Sequence, residues 1–502
     1  MTVASLVAIN AAELDGPRAH FEAILRFIDS DDAFSMSHGD LEEALVEQGR
    51  ELVRRLLQEH LDRRAEQEPR LRVVDAEGSE RTRVEQAHRR ILNTLVGEVE
   101  VTRQAYRALG KPNLHPADGL LNLPPGKHSH GLRRLAAMEA AEGSFESAAA
   151  AIERATGQKL GKRQLEALAA RAARDFDDFY ATRLRTVADP EDVLVISCDG
   201  KGIVMRPEGL REQTREAATR ASKKLQTRLS KGEKGNRRRM AEVGCVYDLR
   251  PVPRTPADVL AGTISRAPAR PVPRAKNKWA VASVVEDPAT VVEQIFAEAE
   301  RRDPEHLRTW VALVDGNNHQ IDLIQAEARR RGVNPSIVVD FVHVLEYLWK
   351  AAWSFFAEGD PEAETWVRQK ALAVLQGRSG QVAGSIRRTA AGRDLSPDKR
   401  KGADEAAGYL TRKRPFLDYP AALSNGWPIA TGVIEGACRH LIKDRMDLTG
   451  ARWGLAGAEA VLKLRALRAN HDFSAYWGFH VSRERRRIHA TRYLNELIPD
   501  ST

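Results

Sequence analysis

The chain has 502 residues, 42% of them hydrophobic and 29% charged, with a formal net charge of +8. That length exceeds what a single core fills and points to about two to four domains, while the composition excludes wholesale disorder. Three scattered cysteines, Cys198, Cys245 and Cys438, exclude a disulfide framework or a cysteine-based zinc site and fit a reducing compartment. No apolar run reaches the length of a membrane span, and the first residues lack a basic segment followed by an apolar one. A cytoplasmic protein is expected, and the basic balance favours an acidic partner, of which nucleic acid is the commonest.

Residues 1–105 read as a helical region with a small hairpin. Leu41, Leu45, Leu52, Leu56 and Leu57 fall at helical spacing and predict a long amphipathic helix over 39–68. Its apolar face is expected to pack on its own domain, with a dimer helix as the alternative. Alternation around Gly97 predicts a hairpin near 94–106. The tract PNLHPADGLLNLPPGKHSHG then reads as an irregular connection, and His115, His128 and His130 as loop histidines rather than metal ligands.

Residues 106–185 form the next region. SFESAAAAIERATG predicts a small-residue helix closed at Gly157, and KLGKRQLEALAARAA a second helix that opens with Lys162, Arg163 and Gln164. Side chains at the start of such a helix meet base edges, where Arg and Gln pair bidentately with guanine and adenine. An ordinary helical hairpin is the alternative to this helix-turn-helix reading.

From 190 to 340 the composition turns toward strands. VLVIS, GIVMRP and EVGCVYDL read as three consecutive strands, the last two separated by a basic insert over 208–239 that suits phosphate contact or a solvated surface. A proline-rich linker, a helix near 288–301, the strand WVALV, a helix near 319–331 and the strand SIVVD follow. Asp199 and Asp315 each end an apolar run and precede a glycine. A rigid strand delivers such a carboxylate, and the glycine permits close approach of metal and substrate.

Residues 341–425 read as a helical insertion, and Trp349, Trp353 and Trp366 within it as core rather than base-stacking surfaces. The segment 426–480 carries TGVIEGACRHLIKDRMDLTGARW. There Glu435, Arg439 and Lys443 stand at i, i+4 and i+8, so one helical face presents an acid followed by two cations. Arg445 and Arg452 extend the cationic run toward Trp453, and the four cations are expected to grip a phosphodiester backbone beside Glu435. The arginine-rich segment 481–502 reads as a peripheral tail.

Each acid alone has an ordinary alternative. Asp-Gly is common in turns, and Glu435 paired with Arg439 on a surface helix would add little to stability. Two strand-end aspartates and one helical glutamate together read as an Asp-Asp-Glu site for phosphodiester chemistry. Asp340 and His343, three apart, share a face if a helix begins there.

The Asp-Gly strand ends, the D-x-x-H of Asp340 and His343, the EGACRHLIKDRMDLTGARW run and the approach YLTRKRPFLDYPAALSNGWPIATGVIEG resemble a bacterial insertion-sequence DDE transposase of the ISKra type over roughly residues 105–475. The resemblance implies a mixed α+β fold: an RNase H-like catalytic core, a mixed sheet flanked by helices, interrupted by a helical insertion and preceded by the helix-turn-helix region. It implies Asp199, Asp315 and Glu435 as the catalytic, metal-holding triad, with Mg²⁺ (or Mn²⁺) as cofactor and Asp340 and His343 as an accessory signature. Two such ions would activate water and stabilise the leaving 3′ oxygen. The expected activity is cleavage at transposon ends and joining of 3′-hydroxyl ends to target DNA. Double-stranded DNA would be the partner, the protein at least a dimer on it and nucleoid-associated. Two alternatives stay open: a metal-dependent nuclease of the same fold, and a domesticated, non-catalytic DNA-binding protein. Related elements often carry an amino-terminal cysteine-rich zinc module, which this sequence lacks, so DNA recognition is expected to rest on the helix-turn-helix and basic surfaces.

Overall fold

A computed structural model describes residues 16–184, 188–220, 237–264, 273–448 and 450–500. The chain divides into two compact units, Met1–Tyr180 with Phe473–Thr502, and Ala181–Asp472. Among the described residues no helix is long and apolar enough to cross a membrane.

The first unit opens with α1 (Pro17–Ile28) and the 29-residue α2 (His38–Glu66), whose first turn is capped by the Ser37 hydroxyl accepting from Asp40 N. One face of α2, with Leu57 and Leu61, packs on a sheet through Leu92, Val99 and Val101. That sheet is β1 (Arg83–Asn93), β2 (Glu98–Ala108) and β3 (Lys111–Leu114), all antiparallel. The expected hairpin is therefore present, but it begins at Arg83, and part of the expected irregular tract is a third strand. Three helices follow: α3 (His130–Glu142), α4 (Phe145–Thr156) and α5 (Lys162–Ala172). Gly157 ends α4 in the left-handed region at φ 70°, where a side chain would be strained. Leu132, Ala136, Ala148, Ile152, Leu165 and Leu168 form their common core. The small residues of α4 let the three helices close on one another.

The segment expected as a peripheral basic tail is a correction. Its first eight residues close a 16-residue helix, Phe473–Ile488. Glu484 there forms a buried ion pair with Arg133, and His480 contacts Asp175 at 2.7 Å. Tyr493 is buried in a cluster with Val73, Tyr106 and Leu114. Its arginines are spent largely on this unit's own acids.

The second unit is mixed α and β, built on a five-stranded sheet. Its strands are β4 (Val193–Val204), β5 (Arg238–Leu249), β6 (Ala275–Ser283), β7 (Trp310–Val314) and β8 (Ser336–Val339), in the order β6-β5-β4-β7-β8. β4–β5 and β5–β6 are antiparallel; β4–β7 and β7–β8 are parallel. The parallel strands are continuous apolar runs because both faces of that part are covered. VLVIS and GIVMRP are not two strands. One strand runs through Asp199 and Gly200, and its pairing with β5 is unbroken from Val193↔Leu249 to Val204↔Arg238. An Asp-Gly pair permits a turn but does not force one when the neighbouring strand offers hydrogen bonds throughout.

Helix α6 (Pro288–Arg302) precedes β7, and α7 (Asn318–Arg331) links β7 to β8. Four long helices then intervene: α8 (Phe341–Phe355), α9 (Pro361–Leu375), α10 (Ser379–Gly392) and α11 (Pro397–Lys413). They bury small residues such as Ala351, Ala371, Ala383, Ala390, Ala403 and Ala407. The three tryptophans are not their core. Trp353 is 47% exposed and stacked on the half-buried Trp349, and Trp366 is also half-buried.

The chain returns to the sheet with the short helix α12 (Gly432–Ala437), a π-helical turn over Cys438–Lys443, and α13 (Leu455–Ala469). Of the expected basic insert, 221–236 lies outside the described residues, as does 265–272 of the proline-rich linker.

Candidate functional site

The registers of β4, β7 and β8 bring three aspartates to one level. Ile196 pairs with Ala312, and Ser197 Oγ donates to the Leu313 carbonyl at 2.5 Å. Continuing that register sets Asp199 beside Asp315. Likewise Val314 pairs with Val339, and Asp340 N donates to the Val314 carbonyl at 2.8 Å, which sets Asp340 beside Asp315. Parallel neighbours point to the same face, so these carboxylates leave the carboxyl end of the parallel strands together. Open α/β sheets commonly bind ligands at that end.

Glu435 reaches the same end by a different route. Asp340 is fully buried and caps α8 by accepting from Val342 N at 2.8 Å. Its other oxygen accepts from the Thr431 hydroxyl at 2.5 Å, and that hydroxyl lies 3.1 Å from Glu435 Oε1. His343 Nδ1 is 3.3 Å from the same Asp340 oxygen, and this bond with the nearby carboxylates raises the imidazole to about 8. Asp340 is therefore an interior acid that holds Thr431 and His343. From the π-helical turn after α12, Cys438 Sγ donates to Asp199 Oδ2 at 3.3 Å. Burial and the Asp199 charge both push this thiol up, keeping it a donor.

The two glycines serve the protein's own side chains rather than an approaching metal. Gly316 sits at φ 95°, and a β-carbon there would lie 2.6 Å from the Tyr409 hydroxyl. That hydroxyl donates to the Asp315 carbonyl at 3.2 Å and so fixes the strand end. At Gly200 a β-carbon would meet Met240 and Glu242 at 3.0 and 3.2 Å. Glu242, paired with Gly200 and so on the opposite face of β4 from Asp199, is raised chiefly by burial, with the Asp199 charge also raising it.

Thr431, Cys438, Glu242, Tyr409 and Lys413 were not visible as site residues in the sequence. Lys413, buried at the end of α11, donates to Asn318 Oδ1. Burial and Arg412 lower it, with Asp315 acting in the opposite sense. For most of these no local signal exists, since each gains its role from a contact distant in sequence.

Asp199 and Asp315 are half-buried and Glu435 is exposed, and none of the three makes an ion pair among the described residues. Their oxygen donors suit a hard cation. As they stand, however, no three Asp, Glu, His or Cys side chains among the described residues form a group that could hold a metal ion. The arrangement does not itself fit Mg²⁺ or Mn²⁺.

The cationic candidates separate into two kinds. Arg439 is exposed and lies 3.6 Å from Asp444; Lys443 and Arg452 are also exposed. Arg445 is a correction. It is 3% exposed, its guanidinium 4.7 Å from the Trp453 ring centroid, and burial with Arg465 lowers it to about 10. Trp453 itself bridges to the end of β4, with its backbone N–H donating to the Val204 carbonyl at 3.1 Å. A residue held there packs the interior and does not grip a backbone outside. The i, i+4, i+8 face is also altered, because a π-turn takes more residues per revolution and carries Lys443 off the line through Glu435.

On α5, Lys162 pairs with Glu146 at 2.9 Å and Arg163 is exposed. Gln164 is a second correction: its side-chain oxygen accepts from Gly161 N at 2.9 Å, completing a cap on the helix. That bond occupies the oxygen needed for bidentate adenine recognition. His115 Nε2 and His88 Nδ1 lie 2.9 Å apart with stacked rings, and burial lowers His115 to about 4. No protein-family model matches this chain, and no curated protein matches it.

Proposed function

We propose that this protein is a DNA transposase of the Asp-Asp-Glu type. In this reading it binds transposon ends, cleaves their phosphodiester bonds and joins the freed 3′-hydroxyl ends to target DNA. The observation that carries it is the common level of Asp199 and Asp315 on adjacent parallel strands, with Glu435 tied to the same strand ends through Thr431 and Asp340. The strand order, with three antiparallel strands followed by two parallel ones and a helical insertion before the last acid, is compatible with an RNase H-like core.

In this assignment Asp199, Asp315 and Glu435 are the reacting-site acids, and Asp340 and His343 orient Glu435 through Thr431. Lys443, Arg439 and Arg452 supply exposed positive charge for the DNA backbone, and Arg163 and Lys162 for the ends. A divalent cation, Mg²⁺ or Mn²⁺, belongs to the proposal, and the acids must close further to hold one. A dimer on double-stranded DNA in the nucleoid completes the reading.

The test uses purified full-length protein and labelled duplexes taken from the terminal repeats flanking the gene, with Mg²⁺ or Mn²⁺ supplied. Cleavage with joining to a second duplex is expected, with Asp199→Asn and Glu435→Gln binding the ends but not cutting them. Cleavage without joining identifies a nuclease. End binding with no cleavage by the parent identifies a non-catalytic DNA-binding protein. Parental cutting rates in either variant overturn the assignment of the acids.

A further inference from the structure

Helix α2 uses one face on its own sheet and leaves another bare. Val46, Val53 and Leu56 on α2 are 57%, 49% and 52% exposed. With Gly49, His60 and Arg63 they follow a seven-residue repeat, so they form one seam along the helix. Beside it α1 presents Phe21, Leu25 and Ile28 at i, i+4 and i+7, all exposed. A groove between the two helices is lined by Phe21, Leu52, Leu56 and His60. Scattered exposed apolar residues are ordinary, but a seam with a flanking stripe and groove marks a binding surface.

The charge on α2 says what covers it. His38–Gln48 carries Asp40, Glu42, Glu43 and Glu47 and no Lys or Arg, whereas Gly49–Glu66 carries five arginines against four acids. The helix dipole accounts for an acid only in the first turn, which holds Asp40 but not Glu42, Glu43 or Glu47. Glu42, Glu43 and Arg64 make no ion pair among the described residues, whereas Arg63 pairs with Glu59 one turn earlier on an exposed face. An identical helix running the other way sets the acidic half of each copy against the arginine-bearing half of the other, so one surface satisfies itself twice. With the seam in register, Glu42 and Glu43 of one copy meet Arg63 and Arg64 of the other. Gly49 has open space where a β-carbon would stand, which lets the backbones approach.

We propose that the α1–α2 face is a self-association surface, paired antiparallel with the same face of a second copy of this chain. The inference is independent of the chemistry assigned to the sheet.

Sedimentation or light scattering of the full chain across about 1–50 µM reads the outcome. The parent is expected to dimerise, and Val53→Asp, which sets two carboxylates in the seam, to raise the dimer Kd at least about a hundredfold. The discriminating measurement mixes two charge variants, Glu42→Arg/Glu43→Arg and Arg63→Glu/Arg64→Glu. Each alone places like charges opposite at both ends and is expected to be monomeric, while their mixture is expected to dimerise. Restored dimer in the mixture also shows that both variants fold. A parent that stays monomeric over the range overturns the proposal. So does a dimer that survives Val53→Asp, or a mixture that stays monomeric although circular dichroism shows both variants folded.

Discussion

The two ends of the five-stranded sheet treat their acids in opposite ways. At the amino end of β4, Asp248 is buried and bound by Arg308 at 2.7 Å, Arg302 at 3.5 Å and Asn277 at 2.9 Å. Close by, Glu298 pairs with Arg302 at 2.8 Å, and Asp303 accepts from Leu307 N, Arg308 N and the Trp310 indole. At the carboxyl end, Asp199, Asp315 and Glu435 are more open and make no ion pair among the described residues. Removing charge from water is costly, so an interior acid at a structural position is matched by arginine. The acids at the carboxyl end are met by neutral donors instead: the Cys438 thiol and Gly200 N at Asp199, Asn317 N at Asp315 and the Thr431 hydroxyl at Glu435.

The comparison breaks most sharply at Asp248. Asp248→Ala leaves Arg302 and Arg308 buried with a lost partner and is expected to cost about 3–5 kcal/mol, read by chemical denaturation. A loss below about 1 kcal/mol would mean that the cluster is solvated and the contrast false.

A smaller effect is expected at the hinge of the carboxyl end. Thr431→Val removes the donor to fully buried Asp340 and should destabilise by about 1–3 kcal/mol. It should also reduce cleavage, since Glu435 loses its tie to the strand end, and Thr431→Ser should restore both. Full activity in the valine variant would show that Glu435 is aimed by something else.

The His343–Asp340 pair sharpens the comparison through pH. The imidazole stands at about 8 against an ordinary 6.5. A raised value means that the folded state binds the proton more tightly. The pair's contribution is therefore complete below about 6.5 and is lost as pH rises through about 8. Because His343 is 34% exposed the stability effect is screened and modest. An NMR titration of His343 should place its midpoint near 8, falling toward 6.5 in Asp340→Asn. An unchanged midpoint in that variant would remove Asp340 as the cause.

Least change is expected at Asp315→Asn. With no cation to abandon, its stability should stay within about 0.5 kcal/mol of the parent, although cleavage should fail. A large loss of stability would make Asp315 a structural acid like Asp248.

Much of this was legible in local sequence, for physical reasons. Helical spacing of leucines marks α2, because a helix repeats every 3.6 residues whatever it packs on. WVALV and SIVVD announce buried parallel strands, since strands covered on both faces must be apolar throughout. Asp199, Asp315 and Asp340 are visible because each breaks such a run. Local sequence misled where a residue's role depends on distant partners. Asp-Gly at 199–200 reads as a strand end, but the hydrogen bonds of β5 carry β4 onward. Arg445 reads as one more cation in a basic run, and only the position of Trp453 turns it inward. Gln164 reads as a base-reading side chain, yet it closes a cap three residues away.

Residue types and their spacing thus determined which segments fold into helices and strands, and which acids interrupt them. These properties follow from steric and hydrophobic periodicities that act over a few residues. Only the tertiary structure decided that Asp199, Asp315 and Asp340 share one level, because strand register is set by pairing between separate segments, 116 residues apart for β4 and β7 and 25 for β7 and β8. It alone decided that Thr431 joins Asp340 to Glu435 and that Asp248 is neutralised while Asp199 is not. A carboxylate's environment is made by whatever the fold brings beside it, and that is not a property of its neighbours in the chain.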